Sequence, residues 1–225
     1  MFLDQLIIGD KKSYEHFEAS VKDIRIKDPE KKEVKETVPF SNVTYDFSMI
    51  YGELYWKERD IEVDFEIMAD TPEELVVKKA AFDSWVMNVF GENIYSPYDP
   101  DFHYVGTYNK KSYADESNKE KTVATVTFKV YPYKIANVPK LYHIVIPGNS
   151  EVTEKVINGS SHRLTPTVIA GDEVTIQYQN ISYGVPAGEI TDDTLRMPVG
   201  VNEFTIQNPN SKACTVTIKF FEEVF

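Results

Sequence analysis

The sequence predicts a mainly β chain of the α+β class, with an N-terminal β-sandwich-like domain carrying one packed helix and then a small all-β sandwich. Three observations predict it. Ile61, Val63, Phe65 and Ile67 alternate with Glu62, Asp64 and Glu66, the two-residue period of a strand with one face in a core. A single well-capped helical stretch follows. In the last third, short alternating runs recur between turn sequences and no helical period of useful length appears. At 225 residues, with 42% hydrophobic and 13% aromatic side chains, the chain has material for two modest cores.

In chain order, residues 6–8 and 21–26 read as early strands. The run KDPEKKEVKET at 27–37 has eight charged residues of eleven and cannot enter a core. It is either a solvated hairpin tip or loop, or an arm that reaches a neighbouring subunit. The helix is announced by Thr71 as N-cap, Pro72 at the first helical position and Glu74 placed to close a capping box, and Gly91 is expected to stop it. Leu75, Phe82, Trp85, Val86 and Val89 form one apolar stripe. The segment NIYSPYDPDFHYVGTYNKKSY reads as a broken strand with turns. A second solvated loop at 114–121 leads into a strand over 122–131, in which Ala124, Val126, Phe128 and Val130 face one way and Thr125, Thr127 and Lys129 the other. Pro132 and Pro139 bracket a connector at 133–138, which places the domain boundary: 1–136, then 137–225.

In the second domain Pro147-Gly148-Asn149, Asn158-Gly159, Gly171-Asp172, Val199-Gly200 and Asn208-Pro209-Asn210 separate the strands. Val174, Ile176 and Tyr178 form an inward set, as do Phe204 and Ile206, and Val216, Ile218 and Phe220.

The order of features in the first domain carries a family resemblance. Early strands, then PFSNVTYDFS with Tyr45, Asp46 and Phe47, then Trp56-Lys57-Glu58-Arg59 leading into the strand 61–67, then a helix with Trp85 ending near Phe90-Gly91, resemble the distal tail proteins of long-tailed, non-contractile bacteriophages. The likeness covers roughly residues 1–133. In the second domain the phrase from Gly200 to Ile206 resembles a strand edge of the small lectin-like domains of the same family. The resemblance implies a structural protein at the virion tail tip, of phage or prophage origin, made in the host bacterial cytoplasm. It further implies a homo-oligomer, a hexameric ring, that joins the tail tube protein to the tail-tip or baseplate hub protein while DNA passes through the channel without specific binding. The first domain is then the ring-forming, tail-tube-like part. Interface candidates are Tyr51, Tyr55, Trp56 and Arg59, the charged Lys31, Lys32 and Glu33, and Tyr95 and Tyr98. Their aromatics suit a contact surface or a core equally.

Formal net charge is −12, about −8 before Asn137 and about −4 from it onward, so neither part offers a basic face for nucleic acid. Acidic residues lining a channel would let DNA pass without sticking. The sequence points away from an enzyme. His16, His103, His143 and His162 are far apart and lack metal-ligand spacing, and Cys214 sits in a strand away from any histidine or helix end. Nucleophile-elbow, phosphate-loop and dinucleotide motifs are absent. Asp172-Glu173 and Asp192-Asp193 lack the loop pattern of a calcium site. No catalytic, cofactor or metal residue is expected, and no membrane insertion. The N-x-S/T triplets at Asn42, Asn158 and Asn180 read as chance matches. The alternative reading is a carbohydrate-binding β-sandwich module used in host recognition, with a host glycan as partner. It is weakened because both tryptophans, Trp56 and Trp85, lie in the first domain, leaving Tyr142, Tyr178 and Tyr183 to stack on sugars.

Overall fold

The computed structural model describes residues 5–49, 52–114 and 119–225. They fold as two compact units, Met1–Lys134 and Ile135–Phe225.

The first unit contains β1 (Ile7–Ile8), β2 (Lys11–Lys12), α1 (Ser13–Phe17), β3 (Ala19–Ile26), β4 (Lys35–Thr37), β5 (Thr44–Asp46), β6 (Arg59–Met68), α2 (Pro72–Met87), β7 (Glu92–Tyr95), β8 (Phe102–Tyr113) and β9 (Lys121–Val130). Its main sheet runs β2-β1-β7-β8-β9-β6-β3, antiparallel at each step. The alternation in β6 buries Ile61, Val63, Phe65 and Ile67, and Ala124, Val126, Phe128 and Val130 of β9 join them in the same core. Thr127 is buried as well, although the alternation assigns it to the solvent face.

Helix α2 lies across this sheet through Leu75, Phe82, Trp85 and Val86. Its start follows the sequence logic. Thr71 Oγ1 accepts from Glu74 N at 3.2 Å, and Glu74 returns a carboxylate oxygen to Asp70 N at 3.0 Å. Its end does not wait for Gly91. Asn88 caps the helix, while Gly91, at φ +67, turns the chain into β7, a conformation that a Cβ would oppose.

Three further departures have physical causes. The short helix α1 lacks the period that marks α2. It is closed by Glu18 in the left-handed region (φ 49) and pinned by Ser13, whose Oγ accepts from Leu6 N. The segment read as a broken strand is β7 and β8. Its prolines fall in the short turn between them, and a register shift at Tyr108/Lys110 lets β8 stay paired with β9 from Gly106 to Tyr113. Between β3 and β6 the charged run does not end in a bare loop but in a separate two-stranded sheet of β4 and β5. Positions 115–118 of the second loop lie outside the described residues.

Strand β10 (Lys134–Ala136) spans the junction where the sequence suggested only a connector. The second unit continues with β11 (Lys140–Ile146), β12 (Ser150–Asn158), β13 (Thr167–Ala170), β14 (Val174–Tyr178), β15 (Ile181–Val185), β16 (Gly188–Thr191), β17 (Gly200–Asn208), β18 (Cys214–Phe220) and β19 (Glu223–Val224). Two four-stranded sheets, β11-β18-β13-β16 and β12-β17-β14-β15, enclose one core, in which Val174, Ile176, Tyr178, Phe204, Ile206, Val216, Ile218 and Phe220 all point inward. Strand β10 pairs with β19. Three buried asparagines hold the turns. Asn158, Asn202 and Asn208 donate their amides to backbone carbonyls of 162, 197 and 198, of 198 and 200, and of 146, 147 and 212. Asn158 is thus a structural residue whose side chain is 1% exposed, which leaves its N-x-S triplet no accessible acceptor.

Candidate assembly surface

The excursion from β3 to β6 is a two-stranded arm. Backbone bonds continue the main sheet outward from Lys27 N to Asp60 O (3.1 Å), Lys57 N to Glu30 O (2.8 Å) and Lys32 N to Tyr55 O (2.8 Å). Farther out, Lys35 pairs with Asp46, Glu36 with Tyr45 and Thr37 with Thr44, and Phe47 N donates to Val34 O at 2.8 Å.

Register decides which side chains share a face, because residues directly opposite in an antiparallel pair point the same way. One face therefore carries Val34, Glu36, Val38, Val43, Tyr45 and Phe47. The other carries Lys35, Thr37, Thr44 and Asp46. Tyr45 and Phe47 stack at 6.3 Å between ring centroids, in keeping with this assignment. The arm is amphipathic, yet its apolar side is left half open among the described residues: Val34, Val38, Val43, Tyr45 and Phe47 are all 41 to 51% exposed, and Phe40 at the tip is fully exposed. An isolated two-stranded ribbon is marginal in water, and a contiguous exposed apolar face marks an interaction surface. Burying what remains exposed of these five side chains is worth roughly 3 to 7 kcal/mol. That is of the same order as the entropic cost of association.

The interface candidates fall into two groups and one outlier. Lys31, Lys32 and Glu33 are exposed on the arm, and Lys31 bridges to Trp56. Tyr55, 40% exposed, donates its hydroxyl to Glu53 at 3.1 Å. Tyr51 lies outside the described residues. Tyr95 ends β7 and Tyr98 lies in the connection to β8. Tyr95 is half-buried with its ring 5.3 Å from His103, and Tyr98 is 60% exposed. Arg59 is turned inward, 6% exposed, its guanidinium 5.1 Å from the centre of the Tyr104 ring. Burial holds its pKa below the usual guanidinium value. Its Nε and Nη2 have no hydrogen-bond partner among the described residues.

Sequence reasoning assigns no apolar face here, because Val34 sits inside the charged run at 27–37 and Val38 directly after it. The signal was present: Val43, Tyr45 and Phe47 alternate with Thr44 and Asp46. A second missed surface is the outward side of α2, where Val76 and Val77 are 67 and 68% exposed.

In the second unit the tyrosines serve packing. Tyr178 is stacked on Phe204 at 4.4 Å and donates to Asn202 Oδ1 at 2.6 Å. Tyr142 stacks on Phe220 and accepts from Ile157 N at 3.0 Å, and Tyr183 donates to Thr194 O at 3.2 Å. Cys214 is buried, which pushes its thiol pKa up. Among the described residues no group of three His, Cys, Asp or Glu side chains is placed to hold a metal ion.

No protein-family model and no curated protein matches the sequence. Among solved structures the fold is similar to that of the Dit protein of phage SPP1, described as a paradigm of the hub adsorption apparatus in Gram-positive infecting phages. The TM-score is 0.69 at 13% identity, over 98% of this chain and 99% of that one. The likeness is one of fold, and its coverage takes in both units. A chain of the phage P2 baseplate in its activated conformation with Ca gives a TM-score of 0.35 at 7% identity, over 88% of this chain and 90% of that one. That score is too low to describe a shared architecture.

Proposed function

We propose that this chain is a structural component of a bacteriophage or prophage tail, a distal tail protein whose first unit assembles into a ring. The single observation that carries the reading is the amphipathic arm. A ribbon with one apolar face left half open is built to be buried by another chain. The fold likeness to SPP1 Dit supplies the setting, a hub of the adsorption apparatus. In this reading the ring is hexameric, connects the tail tube to the tail-tip hub, and leaves a channel for DNA that its acidic surface does not bind. The protein is made in the host cytoplasm and resides at the virion tail tip. Its role is architectural rather than catalytic.

A carbohydrate-binding second unit is the weaker reading. Sugar recognition in such sandwiches relies on exposed aromatic faces, and Tyr142, Tyr178 and Tyr183 are engaged in stacking and hydrogen bonds.

Light scattering coupled to size exclusion, with negative-stain imaging of the same fractions, tests the ring. Closed rings of about six copies support it. A chain that stays monomeric at every concentration overturns it.

A further inference from the structure

We propose that Arg59 is a carboxylate-binding site, in which the Nε–Nη2 edge of its guanidinium is kept for the carboxylate of a partner chain or of a small organic acid. The inference goes beyond the assembly reading above and does not depend on it.

The first ground is position. Arg59 opens β6 on the side that carries Ile61, Val63, Phe65 and Ile67, and only 6% of it is exposed. A buried charge gives up its hydration, and without a counter-charge nothing offsets that loss. An apolar side chain of similar volume would fill the place without this cost. Packing therefore does not explain an arginine here.

The second ground is the pattern of contacts. Tyr104 covers one plane of the guanidinium, with Cζ 5.1 Å from the ring centre. That contact engages the flat face and leaves the N–H groups unbonded. Nε and Nη2 are shut off from solvent and have no hydrogen-bond partner among the described residues. In a guanidinium these two nitrogens share one edge and aim their hydrogens the same way. The two vacancies thus form a single fork, which a carboxylate fills with both of its oxygens.

The third ground is charge. The chain has 36 acidic residues against 24 basic ones. The more exposed Arg25 is paired with Asp23, Glu62 and Asp64. Arg59, where a partner matters most, forms no ion pair among the described residues. Asp28 favours its charge without bonding Nε or Nη2, and Asp99 is committed to Lys134 at 2.6 Å. One cation is left without its counter-charge, so the matching ligand is planar and carries a single negative charge. A carboxylate meets both conditions, whereas a phosphate is tetrahedral and brings more charge.

The test uses the full-length chain, with sodium formate as the probe and sodium chloride at equal ionic strength as the reference. The chain has four arginines, so its nitrogen-15 spectrum holds four Nε–H signals, and Arg59→Lys identifies the one from Arg59. Formate is expected to move that signal and to raise the melting temperature saturably, by about 2 °C or more. Arg59→Lys, which keeps the charge but not the fork, and Arg59→Met should both lose the rise. Equal rises in parent and variants, or an Arg59 signal that does not move, overturn the site. Inorganic phosphate acting more strongly than formate overturns the carboxylate. Light scattering of Arg59→Lys separates the two sources: lost assembly assigns the carboxylate to a partner chain, and unchanged assembly assigns it to a free acid. A parent chain that never assembles overturns the ring reading and leaves the site to be decided by the formate response.

Discussion

Phe82 of α2 meets Phe65 of β6 edge to face, with ring centroids 5.1 Å apart and planes at 63°. Both side chains are fully buried, and Trp85 stands in similar edge contact with each, at 6.3 Å from Phe65 and 5.8 Å from Phe82. Phe17 stacks on the Trp85 ring at 4.5 Å, which ties α1 into the same cluster. The helix is thus joined to the centre of its sheet by three interlocking rings.

Phe82→Ala is expected to destabilise the first unit by about 3 to 5 kcal/mol, through lost burial and the cavity left behind. Phe65 and Phe82 should show a coupling of roughly 1 kcal/mol in a double-mutant cycle. Urea denaturation, followed by tryptophan fluorescence, checks both, since Trp56 and Trp85 are the only tryptophans and both lie in this unit.

Thr71→Ala removes the oxygen that accepts from Glu74 N and should cost about 1 kcal/mol of the same transition. Thr71→Ser should restore most of it. Equal loss in both variants would mean that the cap is not what the hydroxyl supplies.

Replacing Val38 or Phe47 by Asp should abolish the ring while lowering the melting temperature of the isolated chain only modestly. Val38 and Phe47 are 46 and 41% exposed before assembly, so each loses about half of what a core side chain would lose within the monomer. A large drop in monomer stability would show that the arm packs on its own unit instead.

Asp64 has a pKa below the usual carboxylate value because it accepts charge-assisted bonds from Arg25, and a further one from Thr125 Oγ1 at 2.6 Å. A folded-state pKa held below the unfolded value, near 3.9, contributes stability that is present above that pH and is lost as the pH falls through the folded value. Asp64→Asn should therefore lower stability at neutral pH and flatten its decline in acid below about pH 4. Melting temperatures of both proteins across that window decide it.

Tyr178→Phe should cost the second unit about 1 to 3 kcal/mol, because it leaves the buried Asn202 Oδ1 without its 2.6 Å donor. On a glycan array the intact chain is expected to show no binding. Strong retention of one sugar class would move weight to the binding-module reading.

Much of the fold was legible because its strands alternate cleanly. The inward sets of β6, β9, β14, β17 and β18 could be read directly, and the Thr71-Pro72-Glu74 start of α2 was written in side-chain chemistry acting over three residues. The short α1, the β7–β8 pairing and the β10–β19 pairing were not legible. The β10–β19 pairing depends on a partner far away in the chain, with Glu222 O accepting from Ala136 N at 2.8 Å, while α1 and the β7–β8 hairpin lack a clean local period. Arg59 shows the same limit from the other side: nothing local marks a strand-opening arginine as one that turns inward over Tyr104.

The sequence by itself determined the periods, the caps and the charge balance, since these follow from side chains within a few residues of one another. Only the tertiary structure decided what those side chains face. The register that pairs Glu36 with Tyr45 sorts a charged run into an apolar and a polar face, and the packing of α2 on its sheet leaves Val76 and Val77 outward. Facing is a relation between distant segments, and burial, which depends on it, is where most of the free energy lies.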